Sequence, residues 1–105
     1  MNDTLDMHAI AAALEAGELK LRELTKFERR DPLIRQTYVR FYPGNPKGFA
    51  DSLNRYHRVA WLRERSLEAC PQHRIGKPEE MFWRILKVVP TELSAYRIKK
   101  IIEHF

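Results

Sequence analysis

The chain holds a single cysteine, Cys70, and only four glycines among 105 residues. One thiol excludes an internal disulfide framework, so core packing alone must hold the fold. So few glycines leave no Gly-rich phosphate loop, and no G-x-S-x-G nucleophile turn is present either. No window approaches the roughly 18 to 20 consecutive apolar residues that span a bilayer. Asp3 and Asp6 precede any apolar stretch, whereas a secretory signal begins with positive charge and then a continuous apolar run. These absences predict a cytoplasmic protein with no membrane partner.

What is present is enough for a core. With 44% hydrophobic and 10% aromatic residues, the chain has the apolar surface needed to offset ordering entropy. Its length is that of one domain, 1–105. The aromatic residues are spread along the chain, which favours one shared core. Charge is uneven: residues 1–28 carry a net −3 and the remainder a net +8, giving +5 overall. The expected organisation is an acidic helical hairpin over 1–30 followed by a basic remainder over 31–105.

Periodicity predicts helices throughout. Thr4 is a good N-cap, followed by Met7, Ile10, Ala11 and Leu14 at helical spacing and by Gly17 as a C-cap. Ala9, Ala12, Ala13 and Ala16 leave the rest of that helix small. A second helix is expected from about Glu18 to Arg29, with Leu21, Leu24 and Phe27 on one side. Asp31-Pro32 reads as the start of a third. Leu33 to Tyr42 is rich in β-branched and aromatic residues and could form a strand. Poor alternation favours helix.

Pro43-Gly44-Asn45-Pro46-Lys47-Gly48 is the strongest break and predicts a tight corner. After it the longest helix is expected near 49–69, with Phe49, Leu53, Tyr56, Ala60 and Leu67 in one stripe, ended by Pro71. Pro78 opens a helix burying Met81, Phe82, Ile85 and Val89, which Pro90 stops. Thr91 then caps a last helix carrying Ala95, Ile98, Ile101, Ile102 and Phe105, with Phe105 docked. The fold class that follows is all-α, a compact single-domain bundle of about five to six short helices.

Opposite the core stripe of the 49–69 segment, Arg55, Arg58 and Arg65 fall within roughly 80° of a helical wheel. Each guanidinium offers a fork of donors suited to phosphate. The last helix leaves Arg97, Lys99 and Lys100 opposite its apolar stripe, with Tyr96 among them. Basic residues interleaved with an aromatic suit a nucleic-acid surface. Lysines late in a helix also favour the negative end of its dipole, and Glu64 and Glu68 could neutralise the arginines. Met81–Val89 followed by Glu92–His104 has the outline of a helix-turn-helix, although Val89-Pro90-Thr91 makes a poor turn.

Cys70-Pro71-Gln72-His73 places two metal-binding residue types together. Structural zinc wants four ligands, and His8, His57 and His104 stand at no recognisable spacing, so no metal or cofactor is expected. Glu79 and Glu80 are adjacent and diverge on a helix, which does not make a carboxylate pair. No catalytic residue is assigned.

The favoured reading is therefore a small basic non-catalytic factor that binds nucleic acid through Arg55, Arg58, Arg65, Tyr96, Arg97, Lys99 and Lys100. The alternative is a protein–protein adaptor or homodimer whose interface uses Trp61, Leu62 and Trp83 with the alanine-rich first helix.

Overall fold

The computed structural model describes residues 24–104, and all regular structure among them is helical. The expected first helix, with its Thr4 cap, its Met7–Leu14 stripe and its alanines, lies outside the described residues, as does Phe105.

Helix α1 (Lys26–Phe41) starts earlier than Asp31-Pro32 predicts. Thr25 is the N-cap: its hydroxyl accepts from the Glu28 amide at 3.1 Å, and the Glu28 carboxylate accepts from the Thr25 amide at 3.1 Å. This reciprocal box satisfies two donors that would otherwise be orphaned at the helix start. Pro32 consequently lies inside the helix, where it has no N–H to give the Glu28 carbonyl. The cap before it and the fully buried Ile34 and Thr37 after it hold both sides in one rod. Asp31 accepts instead from Nε of the buried Arg30, at 3.1 Å. The same helix settles residues 33–42, which form no strand.

After α1 the chain reverses through Gly44, whose φ of +71° lies in the left-handed region. Helix α2 (Pro46–Val59) then begins three residues ahead of the expected Phe49. Asn45 caps it by accepting from the Gly48 amide at 2.9 Å, with Pro46 in the first turn. A side chain at Gly48 would run its Cβ into the side-chain amide of Asn45, so the cap in this geometry leaves room only for glycine unless Asn45 shifts.

The expected long helix over 49–69 is not formed. Helix α2 ends at Val59, Ala60 stays in the right-handed region but with φ stretched to −109°, and a separate single turn, α3 (Trp61–Glu64), follows this bend. The longest helix is α1, with 16 residues. Phe49, Leu53, Tyr56 and Ala60 are buried as the stripe predicts, whereas Leu67 lies beyond the bend and is exposed. A 3-10 turn (Gln72–Arg74) leads through Gly76, φ +84°, into α4 (Pro78–Val88). Met81, Phe82, Ile85 and Val89 are buried, as expected. Helix α5 (Ala95–Glu103) is capped by Ser94, which accepts from the Arg97 amide at 3.0 Å, rather than by Thr91. The residues before Ser94 are held elsewhere: Leu93 is buried, and the Thr91 amide turns back to the Val89 carbonyl.

Helix α1 packs mainly along α4, and α2 along α5. Helices α4 and α5 thus lean on other helices rather than forming a helix-turn-helix pair. The core joins them around Ile34, Phe49, Leu53, Phe82, Ile85, Leu86 and Ile98, all essentially inaccessible. At one end Tyr42, Phe49 and Phe82 stack, with ring centroids 5.3 to 6.2 Å apart, and Tyr56 tilts against Phe82 at 6.0 Å. Such offset pairs add about 0.5–1.5 kcal/mol each beyond area burial. No helix among the described residues is long and apolar enough to cross a membrane.

One amide side chain fastens the α4–α5 connection to α2. Asn54 donates from Nδ2 to the Leu93 carbonyl at 2.7 Å and accepts the Leu93 amide on Oδ1 at 2.9 Å. Replacing it by alanine leaves both backbone groups of a buried residue unpaired. Asn54→Ala is expected to lower stability by about 2 kcal/mol in urea unfolding, and to speed exchange of the Leu93 amide.

Candidate nucleic-acid interface

The most committed polar group of the described residues is Glu64, at the end of α3. Its side chain is 9% exposed and is gripped from two directions. The Arg74 guanidinium donates Nε to Oε1 at 2.9 Å and Nη2 to Oε2 at 2.8 Å, a two-pronged pair. From α2, the Tyr56 hydroxyl donates to Oε1 at 2.5 Å. Glu64 also gives its backbone carbonyl to the indole N–H of Trp83, on α4, at 3.0 Å. Arg74 lies over the Tyr56 ring, 5.2 Å from its centroid. Burial pushes the Glu64 carboxyl upward, but the hydrogen bonds from Arg74 and Tyr56 outweigh it and hold the group below the usual carboxylate range. Burial and then the neighbouring carboxylate keep the Tyr56 phenol well above its ordinary value.

This knot forms one wall of a cleft of about 360 Å³ between α2, α3 and the start of α4. Tyr42 and Phe82 contribute the apolar side. Ser52, Arg55, Arg63 and Arg74 contribute donors, and Glu79 is the one carboxylate on the lining. Among the described residues neither Arg55 nor Arg63 makes an ion pair or a side-chain hydrogen bond. Arg55 is shared with a second, adjoining hollow that it lines with Arg58 and Val59. Arg58 bonds the Asn54 carbonyl at 3.2 Å and lies 3.5 Å from Glu92, an exposed pair worth little.

The expected basic residues therefore stand on two helices and at the end of a third, and line more than one hollow. Arg55 and Arg58 stand together on α2. Arg65, seven residues beyond Arg58, would align with it only on a continuous helix. The interruption at Ala60 falls between them; Arg65 is exposed, and its carbonyl accepts from Lys87 on α4 at 2.7 Å. On α5, Arg97 and Lys100 line a different hollow with Asp31 and Arg35, while Lys99 is exposed. Tyr96 is 69% exposed, with the Lys100 ammonium 5.4 Å from its ring centre. The adaptor reading needs correcting in its anchors: Trp61 and Trp83 are 5% and 8% exposed and belong to the core, and of the three only Leu62, at 65%, faces outward. The Trp83 indole turns inward because it has a buried carbonyl to satisfy.

Arg63 and Arg74 were not legible as site residues. Arg74 lies outside any amphipathic pattern, and on a straight helix Tyr56 and Glu64 would point about 80° apart. Cys70 and His73 gather no ligand set, and no group of three or more His, Cys, Asp or Glu stands together among the described residues. Burial raises the Cys70 thiol, with Glu80 and Glu64 adding to the shift.

The described residues thus define a small all-α domain with a basic, aromatic-backed cleft. No protein-family model matches the chain, and neither a curated protein nor a solved structure matches it.

Since the folded-state pKa of Glu64 is depressed, its contribution is fully present above the unfolded value near 4.3 and is lost as pH falls through the folded value. Glu64→Ala, which strands Arg74 and Tyr56, is expected to destabilise the fold by about 3 kcal/mol at neutral pH. Thermal unfolding should also show that the variant loses less stability than the parent when the pH is lowered from about 5 to about 3.

Proposed function

We propose that the protein binds nucleic acid, with Arg55, Arg58 and Arg63 contacting phosphates along the outer side of α2 and the corner into α3. The observation that carries this reading is the position of Arg55 on two adjoining hollows, with Arg58 on one and Arg63 and Arg74 on the other. That arrangement makes a continuous strip of guanidiniums, two of which have no carboxylate partner among the described residues. A formal charge of +5 adds long-range attraction for a polyanion. The exposed Val59 and Leu62 lie on the same corner and supply apolar contact beside the charges. The α5 group of Tyr96, Arg97, Lys99 and Lys100 adds further positive charge on a neighbouring helix.

Three phosphate contacts give a log–log salt slope of about −2.1 for a single strand and about −2.7 for a duplex, so affinity should fall by about 20- to 40-fold between about 50 and 200 mM salt. Fluorescence anisotropy with labelled single-stranded and duplex oligonucleotides measures this. Arg55→Ala and Arg63→Ala should each weaken binding about fivefold or more and make the slope shallower by about 1. Binding that ignores salt, or that survives loss of all three arginines, would remove the proposal.

A further inference from the structure

The cleft holds features that a simple phosphate-binding strip does not need. Arg74 is fixed by its two-pronged pair with Glu64 and by the Tyr56 ring beneath it, yet only its Nε and Nη2 are spent. Nη1 keeps two donors, and the residue lines the cleft. A guanidinium immobilised before any ligand arrives loses little freedom on binding. The half-buried Tyr42 ring, stacked on Phe49 at 5.3 Å, borders the same space and is backed by Phe82. Ser52 adds a hydroxyl and Glu79 an acceptor for an amino group. The volume, about 360 Å³, is in the range of small-ligand sites.

One ligand chemistry uses all of these: a flat ring with an amino edge, joined to a phosphate. We infer that the cleft is a pocket for one unpaired nucleotide, whose base lies against Tyr42 and whose phosphate meets Arg55, Arg63 and Nη1 of Arg74. The inference rests on the nucleic-acid reading above and adds strand selectivity to it. A paired base in a duplex enters only at the cost of breaking its pair and its stacking on both faces, a few kcal/mol, whereas a single strand turns a base in far more cheaply. The arginines on the rim serve either form; the pocket serves only one.

Competition anisotropy on the full chain tests this, with a labelled single strand displaced by unlabelled single strand, by duplex of the same length, by cytidine monophosphate and by inorganic phosphate. The single strand should compete at least tenfold better than the duplex, and cytidine monophosphate should compete measurably where inorganic phosphate does not. Ser52→Phe, which fills the cleft from the helix surface without changing charge, should bring the two strands within about twofold while salt-dependent binding persists. Tyr42→Leu should do the same, and circular dichroism checks that each variant is folded. A duplex that competes as well as the single strand, or a preference that survives both folded variants, would overturn the pocket and leave the phosphate strip standing. Equal competition by inorganic phosphate would assign the cleft to a free anion and overturn it as well. Failure of every oligonucleotide to bind would instead remove the nucleic-acid reading itself, and the pocket with it.

Discussion

A buried carboxylate must be satisfied, and in this protein that requirement shapes everything around it. Glu64 is reached by a phenol from α2, a guanidinium from the 3-10 turn and, through its backbone carbonyl, an indole from α4. None of these groups is near it in the chain. Straightening the chain at Ala60 would swing Glu64 away from Tyr56 and leave three polar groups unpaired in a poorly hydrated place. The bend is thus maintained by the pairing, and the pairing exists only because of the bend. Trp61, which opens the same turn, is buried in the core.

The cleft follows from that arrangement. Because Arg74 must lie over Tyr56 to reach Glu64, one wall is a fixed cation above an aromatic ring. Because α2 stops at Val59, Arg55 from the straight part and Arg63 from the turned part come to border one space. A straight helix would set positions 55 and 63 two turns, about 12 Å, apart along its axis. The electrostatic character of the site is set by number: several guanidiniums border a space with a single free carboxylate, Glu79, since Glu64 is already neutralised by Arg74. The Glu64–Arg74 pair is itself neutral, so the positive character of the lining comes from Arg55 and Arg63.

Local chemistry was readable where a signal acts within one turn. Pro78 at a helix start, the halt at Pro90, and the inward faces of α4 and α5 are decided by short-range sterics and by 3.6-residue periodicity. Two helix starts misled for an instructive reason. Asp31-Pro32 and Thr91 are good caps in isolation, but Thr25 with Glu28 offers a reciprocal box, and Leu93 is drawn into the core, which leaves Ser94 to cap α5. Competing caps differ by about 1 kcal/mol, less than the burial of one leucine, so packing decides between them. The basic residues were partly legible: Arg55 and Arg58 lie three apart within one helix, a distance over which a wheel is reliable. Arg65 lies past the bend, where it is not.

By itself the sequence determined the helical class, the apolar faces of the helices and the excess of positive charge, because each depends on composition or on neighbours three and four residues apart. Tertiary structure alone decided that the 49–69 segment would break, that Trp61 and Trp83 would be core, and that Arg55, Arg63 and Arg74 would border one cleft. Those outcomes depend on satisfying Glu64 with partners 8, 10 and 19 residues away. A buried charge gains or loses several kcal/mol according to what surrounds it in space, and no periodicity along the chain carries that information.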